Sequence, residues 1–596
     1  MTRKKKEKKE FTPSKYQQDI FNFLQHGVGN LVVEACAGSG KSTTLVQAIE
    51  LLPQVKKILF CAFNKDIVKE LTKKVGKKDN VQICTVHSLG YNMIRKNNYR
   101  VDIVPDNDKY RKFVFSNIDT LSNNKHFKDK NDFLKYIDNV CNLVDYARYN
   151  LVSTYNEIYK LAERHTIDII DNEIDAVIEV LEWGKENINT IDFGDMIWLP
   201  IVLYMQPYSL QYDFIFVDEA QDLSAAQREL LLKCQRMGTR YVFVGDENQS
   251  IYNFVGADIE SFRKLKKLPN TTTLPLSISY RCAKNIVKFA QNYVQTIEAN
   301  DDGRSGEVLR NGSLDNIADG DMVLCRNNAP LMTLYNQLIK LGKKCYIRGK
   351  DIGTNLKKIV KNTKEEYLNL DLTHEGLFSK LYMNLFEKRN KLLKDSGLDE
   401  KAVMNNPIIS NTLDMIRTLE ALSEDIKTSQ ELIEKIDNVF SDKSKKGIVL
   451  STVHKAKGLE ANNVYITCPS LMPCQSATQD WELEQEHNLM YVAFTRAKDR
   501  LVFLDETEFN EKMTKENESL KSIEKQVNFL YKKSTVFIPT ISSKTQTVLN
   551  RIEKIKLPER GGKVIWGKEN DKQTKKSNDV NTLMSLTNRR ITRKKI

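Results

Sequence analysis

The sequence predicts an α/β fold with parallel strands, and three stretches carry that reading. LVVEA (31–35) is a short apolar, β-rich run; a glycine-rich turn follows, then GSGKSTTLVQAIELL, in which Leu45, Ile49 and Leu52 recur at helical spacing. YDFIFVDEAQD and RYVFVGDENQS are two further apolar runs, and each stops abruptly in acidic and amide residues. Three strands that end in polar ligands imply one shared site at their carboxyl ends.

The first turn, EACAGSGKST from Glu34 to Thr43, nearly matches the pattern GxxxxGK[ST], with Ala35 where the first glycine belongs. Between a strand and a helix, the backbone N–H groups of Ala37, Gly38, Ser39, Gly40, Lys41, Ser42 and Thr43 can wrap a β-phosphate at the helix N-terminus. Lys41 can then reach the β and γ oxygens, so a nucleotide site is expected. At the end of the second run, Asp218 can hold Mg²⁺ together with the Ser42 hydroxyl, and Glu219 can orient and deprotonate an attacking water. The plainer alternative is a surface acidic pair capping the next helix. Gln249, at the end of the third run, is placed to sense the γ-phosphate or the water.

The wider bounds are those of a multidomain protein. At 596 residues and 68.8 kDa the chain is too long for one core, and 41% hydrophobic with 28% charged residues is an ordinary soluble composition. Ten cysteines form no CxxC pair and seven histidines are scattered, which argues against a structural zinc or a disulfide framework and fits a reducing cytosol. The first ten residues lack the apolar run of a signal peptide, and no stretch approaches eighteen apolar residues. No membrane association or secretion is therefore expected, and the location is cytoplasmic, or nuclear in a eukaryote. Residues 1–10 and 551–596 carry net charges of +4 and +9, which together account for the chain's +13 and leave 11–550 neutral. Basic ends raise affinity for a polyanion in a salt-dependent way; the other reading is solvated tails with no partner.

Further blocks follow in order: YQQDIF, FCAFNKDIVKEL, TVHSLG, DFGDMIWLP, VGDENQSIYNFVGAD, ISYRC, TVHKAKGLE and YVAFTRAKD. With the two motifs above, this set resembles superfamily 1 DNA helicases of the UvrD, PcrA and Rep type, and its wording is nearer still to the F-box DNA helicase and its bacterial and phage relatives. The resemblance implies two RecA-like P-loop domains with parallel sheets, each carrying a mostly helical insertion. It implies that Gln17 hydrogen-bonds adenine and Tyr280 stacks on it, that Glu460 joins the nucleotide site, and that Arg281 and Arg496 reach the γ-phosphate from the second domain. Lys41, Asp218, Glu219, Gln249, Arg281 and Arg496 are then the catalytic set, with ATP and Mg²⁺ as cofactors. It further implies a single-strand path lined by the aromatics Phe63, Tyr252 and Phe254, with Asn64, Thr85, His87, Thr452 and His454 on the phosphodiester backbone. Any one of those aromatics could equally be core. One departure stands out: Val255 occupies the place of an arginine common in the relatives, which implies weaker coupling of ATP turnover to unwinding.

The spacing of the blocks divides the chain into a basic N-terminal tail (1–10) and a first RecA-like core (11–87 and 187–275) interrupted by a helical insertion (88–186). A second core (276–350 and 447–545) follows, interrupted by a short helical insertion (351–446) that includes EEYLNLDL and LDMIRTLEALSEDI, and 546–596 form a basic C-terminal tail. The isolated VIW and LMSL segments of that tail read as docking motifs or as plain tail. The function expected is an ATP-dependent DNA helicase, a monomer moving 3′ to 5′ on single-stranded DNA and acting at single-strand/duplex junctions, with replication or recombination proteins as partners. An RNA or RNA/DNA helicase and an ATP-driven protein–DNA remodelling factor are the alternatives.

Overall fold

Six strands running in one direction form the first sheet: β1 (Asn30–Ala35), β2 (Ile58–Ala62), β3 (Val81–Thr85), β4 (Tyr212–Val217), β5 (Gln235–Gly245) and β6 (Thr271–Leu276). Their order is β3-β2-β4-β5-β1-β6, and every pairing is parallel. The computed structural model describes residues 12–507 apart from 63, 98–103, 128–129, 166, 168, 170–171, 252–259, 367–373, 396–402, 405, 424–425, 427, 441–445, 478 and 506. Register aligns Glu34 with Gly245, Cys61 with Val217 and Ala62 with Thr85, so the carboxyl ends share one edge.

Burial on both faces explains the continuous apolar runs. Along β2, Ile58, Phe60 and Ala62 pack with Ile20 and Leu24 of the helix Lys15–His26 and with Leu45 and Ile49 of the helix Lys41–Leu51. The alternate residues Leu59 and Cys61 point the other way, as strand geometry requires. They belong to a second apolar cluster that also holds Leu89, Val144, Val180 and Leu231. The helices Lys130–Asn150 and Glu173–Glu186 therefore draw on the same apolar cluster as the sheet itself.

A buried ion cluster fastens those helices down. Arg148, 1% exposed, bonds both oxygens of Asp192 at 2.7 and 2.8 Å and Asp195 at 2.9 Å, and its guanidinium lies 4.0 Å from the Tyr110 ring centroid. Lys109 reaches Asp195 at 2.6 Å. Gly194, between the two aspartates, leaves room for the guanidinium: a Cβ there would lie 2.7 Å from Arg148 Cζ. Arg148→Ala strands the buried Asp192 and leaves Lys109 as the remaining cation on Asp195, so urea unfolding at pH 7 is expected to show a loss of about 3–5 kcal/mol.

His165, stacked on Tyr146 with ring centroids 3.8 Å apart, is pushed down to about 4 by burial and by Arg164. The unfolded imidazole takes its proton near pH 6.5 while the folded one stays neutral. Its contribution to stability is complete above 6.5 and is lost as pH falls toward 4. Urea melts across that range should show a slope shallower by up to about 1.4 kcal/mol per pH unit in His165→Gln.

The second sheet is also wholly parallel: β7 (Glu307–Gly312), β8 (Met322–Cys325), β9 (Cys345–Ile347), β10 (Ile448–Thr452), β11 (Ala461–Ile466) and β12 (Ala497–Leu504), in the order β7-β12-β11-β8-β10-β9. Val323 and Cys325 of β8 face the helices Asn328–Lys340, His374–Asp395 and Pro407–Leu422. Leu324 faces the opposite way, into a cluster that also holds Cys36, Ala37 and Ile251 from the first lobe. The two lobes thus share a packed seam. LDMIRTLEAL lies within the helix Pro407–Leu422, whereas most of EEYLNLDL falls outside the described residues, the helix there ending at Glu366. Among the described residues no helix is long and apolar enough to cross a membrane.

Candidate functional site: a nucleotide cleft between two lobes

β1 delivers the turn that opens the helix Lys41–Leu51. Gly38 and Gly40 hold positive φ values of 72° and 80°, which favour glycine. Gly38 is needed twice over, because a Cβ there would sit 2.5 Å from Arg281 Cβ and 2.8 Å from Ser279 Oγ of the opposite lobe. A Cβ on Gly40 would lie 4.0 Å from both Gln17 Nε2 and Tyr280 Cδ2, so the turn runs between these two side chains. Gln17, buried at the start of its helix, donates to Thr44 Oγ1 at 2.9 Å, and Tyr280 is 46% exposed.

The acidic side of the cleft comes from β4 and β5. Asp218 Oδ2 accepts from Ser42 Oγ at 3.2 Å, and Glu219 Oε2 lies 3.3 Å from Lys41 Nζ and 2.6 Å from Gln221 Nε2. Burial and the neighbouring Glu219 push the Asp218 carboxyl up to about 6. Burial alone would raise Glu219 too, but Lys41 and Lys457 bring it down to about 2. Burial works against charge on Lys41, yet Glu219, Asp246 and Asp218 hold it above the ordinary lysine value.

From the second lobe, Arg496 is buried and donates to Gln249 Oε1 at 3.3 Å and to the carbonyls of Val492 and Leu459. It makes no ion pair among the described residues. Burial and the nearby Arg281 push its guanidinium down to about 9, so it stays charged at neutral pH. Arg281 is steered by Glu460 at 2.7 Å, and Glu460 also holds Lys498. The Ser39 hydroxyl is buried with no partner among the described residues. A charged guanidinium without a carboxylate, an unpaired hydroxyl on a glycine cradle and a Ser–Asp pair together suit a triphosphate with a divalent cation.

Two family models match along the chain: the UvrD/REP helicase N-terminal domain over residues 16–270 and the UvrD-like helicase C-terminal domain over 447–504. The chain belongs to the UvrD/Rep helicase family. Curated UvrD/Rep relatives include the ATP-dependent DNA helicase PcrA of Bacillus subtilis, 23% identical over 79% of this chain and 80% of that protein. PcrA of Staphylococcus aureus matches to the same extent, and Rep of Buchnera aphidicola is 25% identical over 46% of this chain and 42% of its own length. Like other UvrD/Rep helicases, the chain is an ATP-hydrolysing enzyme acting on DNA.

Two residues of this UvrD/Rep cleft went unread in the sequence. Tyr491, fully buried in the second lobe, accepts a hydrogen bond at 3.0 Å from the backbone N–H of Ala37, while Tyr280 N donates to Gly38 O at 2.9 Å. Lys457 crosses the same seam to Asp222 at 2.6 Å and to Gln249 O at 2.6 Å. Both lie inside blocks already recognised as motifs, but nothing local reveals partners more than 200 residues away. Tyr491→Phe removes the hydroxyl and keeps the ring, and ATPase titrations should show KM for ATP rising several-fold with kcat reduced less.

The proposed strand contacts are placed unevenly. Phe63, Tyr252, Phe254 and Val255 lie outside the described residues. Asn64 is exposed and caps the helix Lys65–Val75 through its side-chain oxygen. Thr85 and Thr452 are each 6% exposed, and the Thr85 hydroxyl is engaged with Ser88. His454 is held neutral, down to about 3, by burial and by Arg326, Lys455 and Lys457. His87 sits edge-on to Phe193, ring centroids 5.6 Å apart. Phe193, 47% exposed in the DFGDMIWLP block, is an aromatic on this edge that the sequence reading did not single out.

Proposed function

We propose that the enzyme is a monomeric translocase that moves 3′ to 5′ on single-stranded DNA and opens duplex at single-strand junctions. The observation that carries the reading is the seam: Arg281 and Arg496 of one lobe meet the phosphate turn and Gln249 of the other. Lys41 would bind the β and γ oxygens once released from Glu219, and Glu219, freed in turn, would orient and accept a proton from water. Mg²⁺ held by Ser42 and Asp218 would supply charge neutralisation for phosphoryl transfer. Arg281 and Arg496 would compensate charge at the transferring group only when the lobes are closed, which ties hydrolysis to lobe separation.

A strand laid along the shared carboxyl edge would meet Asn64, His87 and Phe193 on the first lobe and His454 on the second. Stacking of bases on exposed rings is sequence-tolerant and supports stepping along any sequence. Replication or recombination proteins in the cytoplasm, or in the nucleus of a eukaryote, are the partners this activity fits. Strand displacement on matched 3′-tailed and 5′-tailed DNA and RNA duplexes tests the reading. Unwinding of the 3′-tailed DNA alone is expected. Opening of only the 5′-tailed duplex overturns the polarity, equal activity on RNA overturns the substrate, and clearance of bound protein without strand separation makes the enzyme a remodeller.

A further inference from the structure

The neutrality of residues 11–550 is an average that hides a basic surface at the amino ends of β2, β4 and β5. Lys57 Nζ donates to the Ser209 carbonyl at 2.5 Å and Lys96 reaches the Ser209 hydroxyl, while Lys56 and Arg236 both approach Asp213. Among the described residues Asp213 is the one carboxylate within ion-pair distance of any of these four cations. Burial, with Lys96 and Arg236 close by, holds Lys57 below the ordinary lysine value, as expected where positive charge is in excess.

Two aromatic rings stand beside this charge. Tyr204 is 80% exposed and Tyr208 61% exposed, on the loop that carries Ser209. Both have left-handed backbone, φ 51° and 39°, which bulky residues rarely adopt. The loop is pinned in that form: Asn97 exchanges two hydrogen bonds with the backbone of Gln206, at 2.8 and 3.0 Å, and Met205 N donates to Pro200 O. Strain of this kind persists only where the surroundings impose it, and here it holds two rings out in water.

We propose that this surface is a second binding site for single-stranded nucleic acid, distinct from the path along the carboxyl edge. Exposed rings interleaved with uncompensated lysines are what sequence-independent strand binding uses: bases stack and phosphates meet the cations. A protein partner fits less well, because lysine is depleted at the cores of protein interfaces. The five residues of β2 separate the two edges by about 17 Å. A strand that has left the carboxyl edge, or the strand displaced from a duplex, has the chemistry to occupy the site.

The test is a titration of the full-length enzyme at low salt with fluorescent oligo-dT of about 10 nucleotides, short enough to fill one site at a time. Wild type should take up more than one equivalent. Tyr204→Ala/Tyr208→Ala and Lys56→Glu/Lys96→Glu should each weaken the later equivalents about tenfold or more, while Tyr204→Phe/Tyr208→Phe binds as wild type. ATPase stimulation by the first equivalent should be unchanged in all three, which separates failure of this site from failure of the motor reading. Saturation at one equivalent overturns the proposal, as do later equivalents that both charge and ring variants retain. Binding of a poly-glutamate peptide that those variants lose, with oligonucleotide uptake untouched, would assign the surface to a protein instead.

Discussion

Arg496→Ala is expected to cut DNA-stimulated ATP turnover by about 10³-fold or more, the range typical of an arginine that compensates charge at a transferring phosphoryl group. The argument rests on what surrounds the guanidinium. It is buried and charged, and among the described residues it bonds only to carbonyls, an amide and a hydroxyl, so its charge is satisfied by dipoles until an anion arrives. Nucleotide affinity should change far less than turnover, since the contact is proposed to form on closure. Arg496→Lys should recover little, because an ammonium cannot reproduce the planar fork. Steady-state ATPase with saturating single-stranded DNA, alongside fluorescent-nucleotide binding and a thermal melt to verify folding, checks this. Turnover within tenfold of wild type would falsify the assignment.

Lys41→Ala should abolish turnover outright. The lysine stands at the mouth of the phosphate turn, 3.3 Å from Glu219, with Asp218 and Asp246 also acting on it. Its removal takes away the first lobe's cation proposed for the β and γ oxygens and also leaves the Glu219 carboxyl without its principal counter-charge. That carboxyl should then titrate well above its present value of about 2. The measurement is phosphate release with and without DNA; hydrolysis that DNA still stimulates in this variant would remove the site from the P-loop.

Much of this could be read from the residues, and the limits have physical causes. Apolar runs announced β1 and β4 because parallel strands buried on both faces leave no polar alternation to obscure them. β5 was recognised only from Arg240, yet it begins at Gln235; its first residues are exposed, with Met237 wholly so, and carry no apolar signal. The turn Cys36–Gly40 was legible because phosphate cradling demands small residues at fixed spacing. The linkages that hold the molecule together were not. DFGD reads as a motif, but that it clamps Arg148 and Lys109 depends on helices whose own sequences give no hint of each other. Asn64, Thr85 and Thr452 show a related limit: a polar residue near a strand end serves equally as a cap or a ligand, and only burial and partners separate the two.

Among the described residues, the helices between 88 and 186 share one apolar cluster with the sheet face that bears Leu59, Cys61 and Ile215. Cutting them out would strip apolar partners from that cluster and expose apolar surface, so a trimmed chain is a poor candidate for a minimal motor. Grafting the segment onto another scaffold fails for the mirror-image reason. Whatever these helices do for a substrate, they do as a rigid limb of the lobe that bears them, and evolution can remodel their outer faces far more freely than it can discard them.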